Sequence, residues 1–243
     1  MREIEEAIRR NLKLDIIGKI IILNESKNFP VFNSSKIIEI KINSRPTYDD
    51  FFQVINESSL NANINIISNS DIYFDKNIGV LEHLELKDKC FALSRWDVQP
   101  DGSARLRDRN DSQDAWVFKG KIKKVKGDFP IGVPRCDNRI MYELFQAGYE
   151  VLNPAYSIKC FHLHAGVRRE YPSNEELEEF VEPPYRYLYP HNALSLLGTL
   201  VFNLFHKEKL APYRYDKKRI DRWLLVRAYR KLRDLLMGKK VIL

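Results

Sequence analysis

The sequence predicts an α/β protein with a mostly parallel central sheet flanked by helices, followed by a C-terminal basic helical appendage. Short runs rich in Ile, Val and Phe alternate with segments of helical spacing over residues 1–190. Strands separated by helices favour parallel pairing, because the helix carries the chain back across the sheet. Charge marks the second region, since residues 206–243 contain 13 Lys/Arg and 4 Asp/Glu. We therefore expect a domain at 1–190 and amphipathic basic helices at 191–243.

The elements follow from local spacing and composition. Charged and apolar residues at helical spacing predict the first helix, and β-branched runs predict the strands. The expected order in the first half is a helix at 2–12, strands at 18–23 and 36–42, a helix at 48–59, and a strand over 64–68 that leads to Asp71. The second half predicts strands at 91–96 and 115–118, a helix opening at Asp137, strands at 149–152 and 158–162, an extended connector at 171–190, and a helix at 192–205.

Composition limits the class of protein. The chain has 243 residues, of which 44% are hydrophobic and 12% aromatic, so it can bury a substantial core. Three cysteines without metal-type spacing predict free thiols in a reducing compartment. The longest apolar window, 193–205, is shorter than the roughly 18–20 residues that a spanning helix requires. We expect a cytoplasmic protein, peripheral at the inner face of the membrane.

The basic appendage points to an anionic partner. Residues 1–205 carry 27 Lys/Arg and 29 Asp/Glu, so the net charge of +7 arises in the remainder of the chain. On a helical wheel of residues 219–236, leucines occupy one half and arginines the other. This pattern predicts that residues 218–240 bind an anionic membrane surface. The alternative is that the apolar face packs on the preceding domain while the arginines are solvated. The slightly acidic body argues against nucleic acid as a partner.

The tripeptide Asn69-Ser70-Asp71 follows an apolar strand directly. A carboxylate at the carboxyl end of a strand lies where open α/β sheets bind their ligands. A metal-bound nucleotide is one such ligand. The alternative is a strand that leads into an Asn/Ser/Asp turn without further function.

A second carboxylate, Asp137, opens a predicted helix after the Gly/Pro-containing loop 128–135. Such a loop can place the carboxylate at the mouth of the sheet, where it could deprotonate a hydroxyl nucleophile. Capping of the helix is the alternative role of Asp137. Asp111 and Asp114 precede a strand beside the same expected cleft, and either turn formation or contact with a ligand would explain them.

Two histidines alternate on an extended segment, so His162 and His164 would face the same side of a strand. One of them could bind a divalent ion beside Asp71 or contact a phosphate, and a hydrogen-bonded, half-buried pair is the alternative. Arg168 and Arg169 follow and could neutralise phosphates, although arginines near a turn are often only solvated.

The order of these segments resembles the nucleotide-sugar glycosyltransferases of the GT-A fold over roughly residues 1–171. The resemblance rests on 69–75, 92–96, 111–116, 132–138, 147–154 and 162–164. It implies a Rossmann-like sheet and a divalent cation, Mn or Mg, that bridges the diphosphate of the sugar donor. By resemblance, the metal ligands are Asp71 and His164, and the catalytic base of an inverting enzyme is Asp137. The residues assigned to the donor are Arg45, Asn69, Ser70, Asp71, Arg95, Asp114, Asn138 and Arg168.

The chain departs from the family pattern in two places. A GT-A domain opens with a strand whose loop holds the base, whereas this sequence opens with a helical pattern, and 42–48 with Arg45 could supply base or ribose contacts instead. Asn69 stands where the metal motif has an acidic residue, which lowers the charge available to a cation. Both departures keep open a catalytically silent GT-A-like module that binds nucleotide or glycan. A basic nucleic-acid-binding protein is the other alternative, and it rests on the appendage alone.

The function expected from the sequence is transfer of a sugar from a nucleoside-diphosphate sugar to a hydroxyl acceptor. The acceptor would be a glycan or a lipid-linked oligosaccharide in the assembly of a surface polysaccharide. The donor sugar, the base and the choice between inversion and retention are not specified by these residues.

Overall fold

The computed structural model describes residues 2–57, 63–163 and 180–215. These residues form an α/β fold with mixed sheets. Its helices are α1 (Arg2–Leu12), α2 (Tyr48–Glu57), a 3₁₀ helix (Lys76–His83), α3 (Cys136–Gln146) and α4 (Leu196–Phe205). Its strands are β1 (Ile20–Asn24), β2 (Ile37–Lys41), β3 (Ile64–Ser68), β4 (Ile72–Tyr73), β5 (Lys89–Leu93), β6 (Trp96–Val98), β7 (Ala104–Leu106), β8 (Ala115–Lys119), β9 (Glu150–Leu152) and β10 (Phe161–His162).

The central sheet has the strand order β3-β8-β5-β9. Strand β8 is antiparallel to both β3 and β5, whereas β9 is parallel to β5. The expectation of a mostly parallel sheet is therefore corrected. The physical reason lies in the connections: between β5 and β8 the chain forms the β6–β7 hairpin rather than a crossover helix, so β8 can return in the opposite direction. Helix α3 connects β8 to β9, which runs opposite to β8 and therefore parallel to β5.

Two smaller sheets accompany the central one. Strands β1 and β2 pair in parallel, and β4, β10, β6 and β7 form a four-stranded mixed sheet in that order. In the mixed sheet β10 lies between β4, to which it is antiparallel, and β6, to which it is parallel. The single sheet expected from the sequence is thus three sheets within the described residues. This arrangement brings β10, late in the chain, against the segment that follows β3.

The two faces of the central sheet bury different core clusters. On one face, α2 and α3 pack against alternate strand residues, with Tyr48, Trp116 and Met141 almost fully buried. On the other face, Val117 and Leu93 pack with the 3₁₀ helix and with Phe202 of α4. Because successive strand side chains point to opposite faces, one apolar run supplies both clusters. This two-sided burial explains why β5 and β8 are continuous hydrophobic sequences.

Most elements predicted within the described ranges are present, with ends shifted by a few residues. The sequence pattern did not predict the two-residue strand β4, the 3₁₀ helix or the β6–β7 hairpin. The three cysteines are free and buried, as expected. No helix among the described residues is long and apolar enough to cross a membrane. The predicted basic helix over 218–240 lies outside the described residues.

Candidate functional site

The Asn69-Ser70-Asp71 turn lies where three chain segments meet at one end of the central sheet. The Asn69 amide N–H donates to the carbonyl oxygen of Asp114 at 3.1 Å, which joins the end of β3 to the start of β8. The Asp114 N–H donates to the carbonyl oxygen of Leu93 at 2.9 Å, which adds the end of β5. Side chains just beyond these strand ends, Asp71, Arg95 and Asp114 among them, are therefore held close together.

His162 connects two carboxylates at this end of the sheet. Its Nε2 lies 3.0 Å from Oδ2 of Asp71, and its Nδ1 lies 3.0 Å from Oδ1 of Asp97. Burial opposes the charged imidazolium, but the hydrogen bonds that it donates to Asp71 and Asp97 outweigh that effect and raise the pKa of His162 to about 9. A cationic imidazolium between two carboxylates fixes the position of both. The alternative from the sequence was a hydrogen-bonded pair of His162 and His164; His162 is hydrogen-bonded, and His164 lies outside the described residues.

Asp114 is the most buried carboxylate of the site. Its side chain is 5% exposed, and its Oδ1 accepts hydrogen bonds from Nη1 of Arg95 at 3.0 Å and from Nδ2 of Asn69 at 2.9 Å. Burial raises the pKa of Asp114, although Arg95 opposes that shift. Arg95 also donates from Nε to Asp97 at 2.8 Å. Burial lowers the pKa of Arg95, but the two carboxylates more than reverse that effect. One continuous network therefore runs from Asn69 to Asp71.

Asp137 joins the same end of the sheet from α3. The helix begins after Arg135, whose φ of 73° reverses the chain direction, and Asp137 is its second residue. The carboxylate accepts from the backbone N–H of Gln113 at 3.2 Å and of Asn138 at 2.9 Å. Burial and the nearby Asp114 carboxylate raise the pKa of Asp137 to about 7. A partly exposed carboxyl group with that pKa can take up a proton near neutral pH.

Several polar atoms of the site have no hydrogen-bond partner among the described residues. These buried side-chain atoms are Asp71 Oδ1, Asp114 Oδ2, Gln113 Oε1 and Asn138 Nδ2. Buried polar atoms are almost always paired with protein, water or ligand, because an unmade hydrogen bond costs about 1–3 kcal/mol. Each of these four atoms can form a further hydrogen bond to water or to a ligand.

The structure brings together most of the site residues that the sequence predicted. Asn69, Asp71, Arg95 and Asp114 form the network described above, and Asp137 reaches it through Gln113. Asn138, assigned to the donor, is 1% exposed beneath this surface, and Ser70 is exposed at the turn. His164 and Arg168 lie outside the described residues.

Arg45 is exposed in the loop that connects β2 to α2. The next residue, Pro46, accepts a hydrogen bond from the N–H of Ile131 at 3.0 Å. That bond joins the Arg45 loop to the Gly132 loop that precedes Asp137. Arg45 is therefore next to a contact with the loop that leads to α3.

Sequence reasoning missed the roles of Asp97 and Gln113. Asp97 lies on β6 and is 65 residues from His162, so local spacing carries no signal for their contact. Gln113 is 2% exposed, and its backbone rather than its side chain holds Asp137. An acidic residue two positions after Arg95 was the available signal, because such spacing on a strand places both side chains on one face.

The side chains around Asp71 determine whether this site could bind a divalent cation. No group of three or more His, Cys, Asp or Glu in the described ranges has the arrangement of a metal site. Asp71 offers one carboxylate oxygen without a partner there, Oδ1, while Oδ2 is held by His162. Mg²⁺ is commonly bound through one or two carboxylates plus the phosphates of a substrate, and Asp71 fits that mode.

Comparisons of the chain with protein-family models, curated proteins and solved structures give no match.

Proposed function

We propose that this protein is a metal-dependent glycosyltransferase that uses a nucleoside-diphosphate sugar and a hydroxyl acceptor, with inversion at the sugar carbon. The observation that carries the proposal is that Asp71 and Asp137 lie at the same end of the central sheet, where Asn69 binds Asp114 and the backbone of the adjacent Gln113 binds Asp137. The resemblance of the ordered motifs to GT-A enzymes supports the same reading, and a GT-A-like arrangement of the sheet is part of this proposal.

Asp137 is the proposed base. A general base works best when its pKa lies near the working pH, and the pKa of about 7 meets that condition. The two backbone N–H groups that bind its carboxylate fix its orientation, and its partial exposure leaves it open to an acceptor hydroxyl. Asp137 would remove the proton from that hydroxyl as its oxygen attacks the sugar carbon from the face opposite the diphosphate.

Asp71 is the proposed metal ligand through Oδ1. Mn²⁺ or Mg²⁺, when bound, stabilises the negative charge on the leaving diphosphate. His162 holds the other oxygen of Asp71, so the carboxylate is already oriented before a ligand arrives. His164, the second proposed ligand, follows closely along the same segment.

Arg95, Asn69 and Asp114 are proposed to position the donor. Asp114 binds Arg95 and Asn69 through Oδ1, and its buried Oδ2, which has no partner among the described residues, is the atom proposed to accept a hydrogen bond from a sugar hydroxyl. A buried acceptor of this kind discriminates strongly, because a ligand lacking the matching hydroxyl leaves it unpaired. We propose that this contact selects the class of sugar donor. The acceptor, a glycan or a lipid-linked alcohol, would bind beside Asp137.

A binding module without catalysis is the second candidate, and one observation favours it. Asp71 already has a cationic partner in His162, and the Asn69 amide is occupied by Asp114. A site whose charges are internally paired attracts a divalent ion less strongly. Such a module would bind nucleotide or glycan without turning it over.

The two candidates are separated by thermal shift followed by turnover. The chain is heated with a panel of nucleoside diphosphates and their sugars, with and without 1 mM Mn²⁺. For a glycosyltransferase, we expect the nucleotides of one base to raise the melting temperature only when Mn²⁺ is present. The sugar nucleotide of that base should release its diphosphate when an alcohol acceptor is added. Stabilisation without metal and without turnover of any donor would favour the silent module. No stabilisation by any nucleotide would contradict the glycosyltransferase and would leave only a glycan-binding form of the silent module.

A further inference from the structure

The outer face of α4 is apolar and exposed to solvent. Its exposed fractions include 71% for Leu197, 60% for Leu200, 75% for Leu204 and 76% for Phe205. At about 100° per residue these positions, with Leu196 and Val201, fill one continuous half of the helix. That half contains no polar side chain. Single exposed apolar residues are ordinary, but a contiguous apolar helix face marks an interaction surface.

The inner face of α4 shows that the helix is held in this orientation. Phe202 is 6% exposed and packs in the core, and its ring stacks on that of His206 with centroids 4.1 Å apart. The Asn203 side chain both donates to and accepts from the backbone of Leu210, at 3.0 and 2.8 Å. Thr199 and Asn203, the polar residues of α4, thus lie inward of the exposed face. A water-facing helix has the opposite pattern, with polar residues outward.

Cationic residues follow this face directly. Lys209 donates to the backbone carbonyls of Asn203 and His206 at the end of α4, and Lys207 and Arg214 lie close in sequence. Tyr213 and Tyr215 form an aromatic pair with ring centroids 5.4 Å apart, and Tyr215 is 70% exposed. Apolar, aromatic and cationic residues combined on one helix and its end are typical of segments that lie in the interface of an anionic bilayer.

We propose that the exposed face of α4 binds the interface of an anionic lipid bilayer, with Leu197, Leu200, Leu204 and Phe205 among the acyl chains. A helix of 10 residues is about 15 Å long, too short to span the hydrocarbon core, so it lies in the membrane plane. The cations of residues 206–243, 13 Lys/Arg against 4 Asp/Glu, favour an anionic lipid surface over a neutral one. This surface is separate from the site at Asp71 and does not depend on glycosyl transfer.

The first test is co-sedimentation of the full chain with vesicles of phosphatidylcholine, with or without 30% phosphatidylglycerol. We expect binding to the anionic vesicles, and a loss of at least about tenfold in affinity for Leu200→Gln/Leu204→Gln, because burial of two leucine side chains is lost. The substitutions are neutral, so they test apolar contact rather than charge. Val31→Gln is the matched control at a residue that is 94% exposed, and it should bind as the parent does.

The second test places a reporter on the face itself. The three native cysteines are buried, so Leu204→Cys can be labelled selectively with an environment-sensitive fluorophore, with Val31→Cys as control. We expect the emission of the Leu204 label to shift to the blue on anionic vesicles while the Val31 label does not change. A Leu204 label already blue-shifted without vesicles and unchanged by them would overturn the proposal, because another segment would cover the face. The proposal would also be overturned if the parent protein formed a dimer that Leu200→Gln/Leu204→Gln abolished. Unchanged vesicle binding by this double variant would overturn it as well.

Discussion

The two ends of the central sheet hold their charges in opposite environments. At the end that holds Asp71 and Asp114, Asp114 is 5% exposed and both carboxylates belong to one hydrogen-bond network, and burial raises the pKa of Asp114. At the other end, Lys89 pairs with Glu150 at 3.6 Å and Lys123 with Asp88 at 2.7 Å, with 60% and 57% of the acidic side chains exposed. Exposed pairs are screened by water and contribute little, whereas desolvated charges interact strongly. We therefore assign the proposed chemistry to the Asp71 end.

The largest expected effect is on transfer in Asp137→Asn. Loss of the base should lower kcat by about 10²–10⁴-fold, since general base catalysis typically contributes that factor. Binding of the donor should persist, because Asn keeps an oxygen for the backbone N–H groups. Single-turnover transfer kinetics measure the loss, and Asp128→Asn, on the exposed part of the preceding loop, is the control. Near-parental transfer by Asp137→Asn would place the base elsewhere.

Asp71→Ala should have the second largest effect on transfer. Removal of the carboxylate deletes the proposed metal ligand and also removes the hydrogen-bond acceptor of His162 Nε2. We expect donor turnover to fall by about 10²-fold or more and Mn²⁺ to lose its effect on donor binding, since metal stabilisation is worth several kcal/mol. Isothermal titration of donor with and without Mn²⁺ provides the measurement. Asp101→Asn, in an exposed turn, is the matched variant, and unchanged metal dependence in Asp71→Ala would remove the metal role.

The pH dependence of transfer tests the environment of Asp137. A base acts when ionised, so log(kcat/KM) should rise with pH and level off above about 7, the pKa of Asp137. Its folded pKa lies above the usual value of about 3.9 for Asp, so ionisation of this group also lowers the free energy of unfolding as pH rises from about 4 to 7. A rate that is flat between pH 5 and 8 would contradict this assignment.

Stability should depend on His162 in a higher pH window. The folded pKa of about 9 exceeds the reference value of 6.5, so the stabilisation is full below 6.5 and is lost as pH rises through 9. His162→Gln should remove that loss, which is on the order of 3 kcal/mol at most for this difference in pKa. Urea unfolding at pH 6, 7, 8 and 9.5 measures it. His83→Gln, at a site 36% exposed, should keep the parental dependence.

The smallest effect is expected at the opposite end of the sheet. Glu150→Gln removes an exposed ion pair with Lys89 and should change the free energy of unfolding by less than about 0.5 kcal/mol. Transfer should be unaffected. A change above 2 kcal/mol in the free energy of unfolding, measured with urea, would contradict the expected difference between the two ends of the sheet.

Prediction from sequence succeeded where the signal was local. The period-2 and period-3.6 patterns placed β1, β2, β3, β8, α1, α2 and α3, because burial of alternate or helically spaced residues is written in adjacent positions. The strand-end position of Asp71 and the helix-start position of Asp137 followed from the same local signals. The β6–β7 hairpin escaped because each strand has only three residues.

The sequence by itself determined the α/β class, the approximate positions of the longer helices and strands, the buried free thiols and the candidate carboxylates Asp71 and Asp137. Only the tertiary structure decided the antiparallel course of β8, the contact of His162 with Asp71 across 91 residues, and the apolar outer face of α4. The physical reason is one of range. Periodicity depends on neighbours along the chain, whereas strand direction, desolvation of a carboxylate and coverage of a helix face depend on contacts between distant segments.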